Sequence, residues 1–331
     1  RWGRACTAAG YATAWIVPNP ISALLLSQGR LTRWAMVAHH VSHGGYDRVP
    51  GTPESRRSRG FARGLRRFVD WLDWIDPEAW AHEHNRLHHY RLGEREDPDL
   101  VEENLRWLRD ASLPMAAKLA VVGLFAGTWK LTYYAPNTLR VLRAHAARKR
   151  PIEDDGASED EPSIASLFAD WELWKRCILP YAGAHFVAAP LLFAPLGPFA
   201  AWSVLVNSLL AEVLTNLHAF VVITTNHAGE DLWAFDGPIT EGKGEFYYRQ
   251  VVGSTNFRTG SDGNDFLHGF LNYQIEHHVF PQLPMRQYQR IKADVQRICE
   301  AHGVPYVQES VWKRLARTLD IMVGRTSMKR A

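Results

Sequence analysis

Fifteen histidines occur in the 331 residues, and nine of them fall in three short clusters. The first reads AHHVSHGG: His39 and His43 are four apart, share one face of a helix and can grip one metal, while His40 points elsewhere and is expected to support the ligands from behind. The second, HEHNRLHHY, repeats the four-residue spacing at His84 and His88 and adds His89 roughly a quarter-turn round the helix. The third, NYQIEHHVFP, has His277 and His278 adjacent, with Gln274 one helical turn earlier as either a weak metal ligand or a hydrogen-bond partner of the ligands. One histidine pair on a helix is weak evidence, because such pairs often serve structure. Three clusters, interleaved with apolar segments, point to metal.

Seven of these imidazoles, those of His39, His43, His84, His88, His89, His277 and His278, are candidate ligands, more than one metal uses. Structural zinc takes four ligands and catalytic zinc takes three from protein, whereas two metals sharing seven to nine ligands account for the number and leave positions open. Imidazole serves iron, copper and zinc alike, so ligand type leaves the metal undecided. The chemistry favours iron: a site beside lipid chains has unactivated C–H bonds as its target, and breaking them calls for a redox metal and O2. Two iron ions with O2 as co-substrate are therefore expected, and no catalytic residue beyond the metal centre. His227, in ITTNHAGEDL, is expected as a further ligand, with Asn226 beside it placed to hold a water on the metal. His218 reads as a buried hydrogen-bonded residue. Glu212, a carboxyl inside an apolar helix, reads either as part of a proton path or as a neutral acid bonded between helices.

Helices must bring these clusters together. Residues 178–211 contain no Asp, Glu, Lys or Arg, and after Glu212 the uncharged run continues to Gly229. A span takes about 20 residues, so this stretch predicts two membrane helices turning near Pro195–Pro198. The apolar stretch 5–26, broken by Pro18 and Pro20, predicts all or part of another span, with a preceding native segment expected before Arg1. All three clusters must share one side of the membrane if they build one site. An even number of spans then separates the second from the third, which places residues 111–135 in the interface rather than across it. The arginines at 56–67 and the basic run 140–150 mark that side as cytoplasmic. The acidic stretch 153–161 reads as a solvated loop, with an electron-carrier docking site as the alternative. A net charge of +3 is too small to suggest a nucleic-acid partner, and the three cysteines form no CxxC pair.

The three clusters, in the forms HxxxH, HxxxHH and QxxHH, resemble the histidine boxes of the membrane fatty acid desaturase family. NYQIEHHVFPQLP, GEFYYRQVVGSTNF and DPDL resemble its front-end acyl desaturases and their bacterial relatives. The resemblance implies an all-α, integral membrane bundle of about four transmembrane helices with a cytoplasmic helical cap holding a di-iron site. It implies an acyl-lipid, acyl-CoA or acyl-carrier substrate and electrons from a separate ferredoxin or cytochrome-type donor, since no fused haem signature is present. His40 stands where the family often has Asp. Residues 1–331 then form one domain: a membrane segment (1–38), the first two boxes (39–110), the interfacial segment (111–135), a transmembrane hairpin (178–226) and the third box with the cap (227–331). O2-dependent desaturation of an acyl chain is the leading reading. A di-iron lipid or alkyl hydroxylase, a zinc-dependent membrane hydrolase and a metal-binding membrane protein without catalysis are the rivals.

Overall fold

Two prolines interrupt the first apolar stretch, and the chain turns there. The computed structural model describes residues 1–147 and 168–331; the acidic stretch 153–161 and the end of the basic run lie outside them. Helix α1 is Trp2–Ala14 and α2 is Pro20–Leu31. Pro20 takes a position where its missing N–H costs nothing, and Asn19 caps the helix by accepting from the Ser22 N–H at 2.8 Å. The first apolar segment is therefore a hairpin of two helices. Small residues let them close: a Cβ on Gly10 would lie 2.8 Å from Leu26 Cγ. Beyond Leu31, α2 continues through a π-helical segment, Thr32–Ala38, into His39–Ser42.

The second cluster sits on α3 (Pro77–Glu83) and the π-helical His84–His88 that prolongs it. Helix α4 (Met115–Trp129) likewise passes through π-helical turns, Lys130–Tyr134, into α5 (Ala135–Ala147). Two helices, α6 (Trp171–Leu196) and α7 (Pro198–Ile223), are long and apolar enough to cross a membrane. Their pattern is inside-out. On α7, Ser203, Asn207, Ser208, Thr215 and Asn216 are buried, while Trp202, Leu209, Leu210 and Val213 are exposed. In water the apolar face would turn inward; here small and polar groups face the neighbouring helices, as in a lipid-facing bundle.

Polar contacts tie the bundle together. Ser203 donates to Ala14 O at 2.6 Å, and Asn207 Nδ2 donates to the same carbonyl at 2.9 Å, so α7 clasps the α1–α2 turn. Glu212 accepts from Arg30 at 3.1 Å, from the Trp74 indole and Asn216 at 2.8 Å each, and from the Tyr181 hydroxyl. Of the two readings of Glu212, the neutral acid bonded between helices gives way to a buried ion pair with Arg30, near the end of α2. Lys130, fully buried, donates to Asp73 at 2.7 Å. A charged residue within a span is tolerated where it faces protein and is paired, so Lys130 does not by itself argue against α4 crossing a bilayer.

The remaining chain forms α8 (Lys243–Val252), α9 (Gln274–Val279), α10 (Met285–Ala301) and α11 (Val311–Met322), with short helical turns between. Two-residue parallel strand pairs, Trp233–Ala234 with Lys329–Arg330 and Asn256–Phe257 with Gln308–Glu309, pin this part together. Arg314 on α11 is fully buried and grips Asp231 at 2.7 and 2.8 Å and Ala228 O at 3.0 Å, holding the loop after His227.

Candidate metal centre

The π-helical turns decide how the histidines sort. In an α-helix His84 and His88 would share a face. In the π-turn the His89 N–H bonds back to His84 O, five residues earlier, at 3.2 Å, which brings His89 beside His84 as well. His39, His43, His84, His89 and His277 form one group whose ligand nitrogens all lie within 4.8 Å of one another. His88, His227 and His278 form a second. His84 and His88 also meet, four apart, in a third group that overlaps both and includes Asp99. His277 and His278, adjacent on α9, divide between the first two. The stacked rings of His89 and His278, 4.3 Å between centroids, join the groups.

The outer nitrogens are held. His88 Nδ1 donates to Asp97 at 2.9 Å, His278 Nδ1 to Gln250 Oε1 at 3.0 Å, and His227 Nδ1 to Gly253 O at 3.4 Å. His277 Nδ1 meets the Tyr288 hydroxyl at 3.1 Å. Asp97 is itself fixed by the N–H groups of Gly93 and Asp99, both at 2.9 Å, with Gly93 in the left-handed conformation (φ 74°) that a glycine adopts without strain. Bonds to Nδ1 set the tautomer and aim Nε2 inward.

Half of the inner nitrogens have no protein partner among the described residues. His43, His89, His277 and His278 each keep a buried Nε2 without a hydrogen bond among the described residues. His39 Nε2 and His84 Nε2 face each other at 3.0 Å. Two nitrogens bound at right angles, each about 2.1 Å from one metal, are about 3 Å apart. Buried polar atoms go unpaired at a cost unless something fills the gap. The donor set and its orphaned nitrogens fit two imidazole-bound metals.

Charge points the same way. Burial pushes His39, His43, His84, His89, His227, His277 and His278 well below the ordinary histidine range, and most feel added repulsion from neighbouring histidines. They stay neutral with lone pairs available. For His88, burial acts against the charged form, but Asp97 and Asp99 outweigh it and raise its pKa.

Other expected residues take different places. His40 is fully buried yet belongs to neither group; burial lowers it to about 4. Gln274 lies beside the second group, its amide nitrogen 2.9 Å from His227 Nε2 and its oxygen unpartnered. Asn226 donates to Val222 O at 3.2 Å and Leu271 O at 3.1 Å, which ties the end of α7 to the turn before α9; its Oδ1 is free to accept. His218 is hydrogen-bonded to Leu267 O at 2.8 Å, as a structural histidine should be.

Sequence reasoning assigned no role to Asp97, Asp99, Gln250, Tyr288 or Glu83. Asp97 and Asp99 lie in the DPDL motif and Gln250 in GEFYYRQVV, so both motifs were visible but their task was not. Asp99 approaches His88 at 3.5 Å and accepts from the Tyr134 hydroxyl at 3.0 Å on both oxygens. The Glu83 carboxyl is buried without a hydrogen bond among the described residues, and burial, then Asp99 and Asp97, hold its pKa well above the carboxylate range.

A cavity of about 290 Å³ opens against both groups, lined by His39, His84, His88 and His227 on one side and by Trp34, Trp129 and other aromatic or aliphatic side chains on the other.

A profile of the fatty acid desaturase family matches residues 13–310. The chain belongs to the fatty acid desaturase family. An NADPH-dependent stearoyl-CoA 9-desaturase of Mycobacterium tuberculosis is 26% identical over 316 residues, covering 89% of this chain and 66% of that protein. An acyl-lipid (7-3)-desaturase of Rebecca salina is 29% identical over 315 residues, 90% of this chain and 63% of that protein. A Delta(8)-fatty-acid desaturase of Euglena gracilis is 32% identical over 96 residues, 29% of this chain and 22% of that protein. The chain spans just under two thirds of the length of the first two. Residues of all three histidine clusters, His39, His84, His88 and Gln274, line one cavity.

Proposed function

We propose that this chain is an O2-dependent fatty acyl desaturase that acts at a di-iron centre held by its histidines. The observation that carries the reading is the meeting of two buried imidazole groups at the wall of one apolar cavity. His39, His43, His84, His89 and His277 would hold one iron, and His88, His227 and His278 the other, with Gln274 beside the second. Iron bound there supplies the redox chemistry that activates O2.

The protein's part is to position and to exclude. Trp34, Trp129 and Tyr134 wall a slot that holds an extended acyl chain against the histidines and keeps water out, so that one pair of methylenes is presented. Asp97, Gln250, Tyr288 and the Gly253 carbonyl hold the imidazoles in place. Two hydrogens leave adjacent carbons to form a cis double bond. With two electrons and two protons they reduce O2 to two waters. The electrons come from a separate ferredoxin or cytochrome-type carrier. The substrate is an acyl chain on CoA, a carrier protein or an intact lipid; relatives named for stearoyl-CoA and for acyl-lipid substrates support this range.

In this reading α6 with α7 makes a transmembrane hairpin and α1 with α2 a second, shorter membrane hairpin, about four membrane helices in all, within a single domain. The histidine clusters and the later helices form a cap on the cytoplasmic side, and α4 lies in the interface. The exposed apolar face of α7 supports membrane insertion. Lipid profiling by mass spectrometry of cells expressing the chain, against an empty vector, tests the function. A new unsaturated acyl species is expected. A hydroxylated species would assign the chain to the alkyl hydroxylases, and one zinc per chain in place of two irons would overturn the oxygenase reading.

A further inference from the structure

The helix that carries the first histidine cluster has two working faces. Trp34, Ala35 and His39 look into the cavity at the metal centre. Arg33, Val37 and Val41, four residues apart and so on one stripe, look the other way, into a separate cavity of about 670 Å³ between this helix, α1 and the loop at residues 46–56.

Charge in the second cavity is one-sided. Arg1, Arg4, Arg33 and Arg56 line it, and the single carboxylate among its lining residues is Asp70. Asp70 is already engaged: it takes Arg66 through two bonds, 3.0 and 2.9 Å, and the Ala62 N–H at 3.1 Å. The side chains of Arg4, Arg33 and Arg56 have no ion-pair or hydrogen-bond partner among the described residues. Arg33 is half-buried, and the charge pressing on it from α1 is another cation, Arg4. Arg1, Arg4 and Arg56 are exposed, and cations gathered without a counter-charge repel one another, which a bound anion reverses. Met36, Val37, Val41, Phe61 and Val69 give the same recess an apolar wall.

We infer that this recess binds the phosphate of an anionic lipid headgroup, with Arg33 and Arg4 as its main donors and the apolar wall receiving the start of an acyl chain. Guanidinium groups match phosphate oxygens in geometry and keep their charge at every physiological pH. The assignment to a lipid rests on the membrane reading above: the recess lies where α2 emerges from its apolar stretch, on the side of the histidine clusters, at the level of headgroups. A lipid held there braces the back of the helix whose front carries His39 and His43.

Native mass spectrometry of the full chain in detergent, titrated with phosphatidylglycerol or phosphatidylcholine of the same acyl chains, tests this. An arginine at an anionic surface contributes about fivefold in affinity, so the wild type should prefer phosphatidylglycerol by about tenfold or more. The Arg4→Gln/Arg33→Gln variant should lose that preference, and Arg4→Lys/Arg33→Lys should keep most of it. Iron content and unfolding temperature serve as controls that the variants are folded. Equal binding of the two lipids by the wild type, or an undiminished preference in the glutamine variant, would overturn the site. Inorganic phosphate displacing phosphatidylglycerol at equal concentration would assign the recess to a soluble anion and overturn the lipid assignment. The binding is read in detergent, so it stands or falls apart from membrane topology, which labelling in cells reads separately.

Discussion

His88 shows what a single side chain does in this site: one nitrogen belongs to the metal group and the other to Asp97. His88→Ala should abolish turnover and lower bound iron, measured by elemental analysis, while the helices remain assembled. Asp97→Asn keeps the ligand but loosens it, so metal affinity in a competition titration should fall about 10–100-fold. Full iron occupancy in His88→Ala would remove it from the ligand set. His40, buried among the same rings, predicts a pH effect. Its folded pKa is about 4, against about 6.5 in an unfolded chain. Between these values the unfolded chain binds the extra proton, so stability is whole above pH 6.5 and falls as pH drops toward 4, by up to about 3 kcal/mol. The neighbouring depressed histidines add in the same direction. Thermal unfolding of the metal-free chain should shift downward between pH 7.5 and 5, and less so in His40→Gln. Equal shifts in both would exclude His40.

Helices carry the ligands, and their irregularities matter as much as their periodicity. HxxxHH in an α-helix places the first and fourth-following histidines together; the π-turn at His84–His88 brings the fifth-following beside the first as well. Nothing in the residue types announces that turn, because it forms where a helix accommodates the packing around it. A second element-scale feature is the Arg30–Glu212 pair between α2 and α7. Arg30→Met leaves a buried carboxylate with neutral donors alone, and should destabilise the protein by about 3–5 kcal/mol in a detergent melt. Adding Glu212→Gln should recover much of that loss. A cost below about 1 kcal/mol for Arg30→Met would mean that Trp74, Tyr181 and Asn216 suffice to hold the charge.

At the scale of the whole molecule, the proposed membrane reading requires every cluster to reach the same side of the membrane. Cysteine labelling with a membrane-impermeant reagent in intact cells tests this, on a background with the buried Cys6, Cys177 and Cys299 replaced. Probes at Arg95 and Arg140, both exposed, should stay unlabelled until the membrane is opened, while a probe at Leu196, between α6 and α7, should label at once. If Arg95 and Arg140 report opposite sides, α4 crosses the bilayer, and the single site built from all three clusters fails. Lys130 does not settle the question, because Asp73 neutralises it inside the protein.

The sequence by itself determined the number and type of donors, the length of the charge-free run and the family motifs, all of them properties of residues within one helix or one turn. It also placed His39 with His43, since four residues make one face of any α-helix. The tertiary structure decided which imidazole joins which group, and which distant residue holds it. Asp97 reaches His88 from the next turn, but Gln250 reaches His278 across 28 residues and Arg30 reaches Glu212 across 182. Such pairings depend on how helices pack after they form, and local pattern carries no trace of that packing.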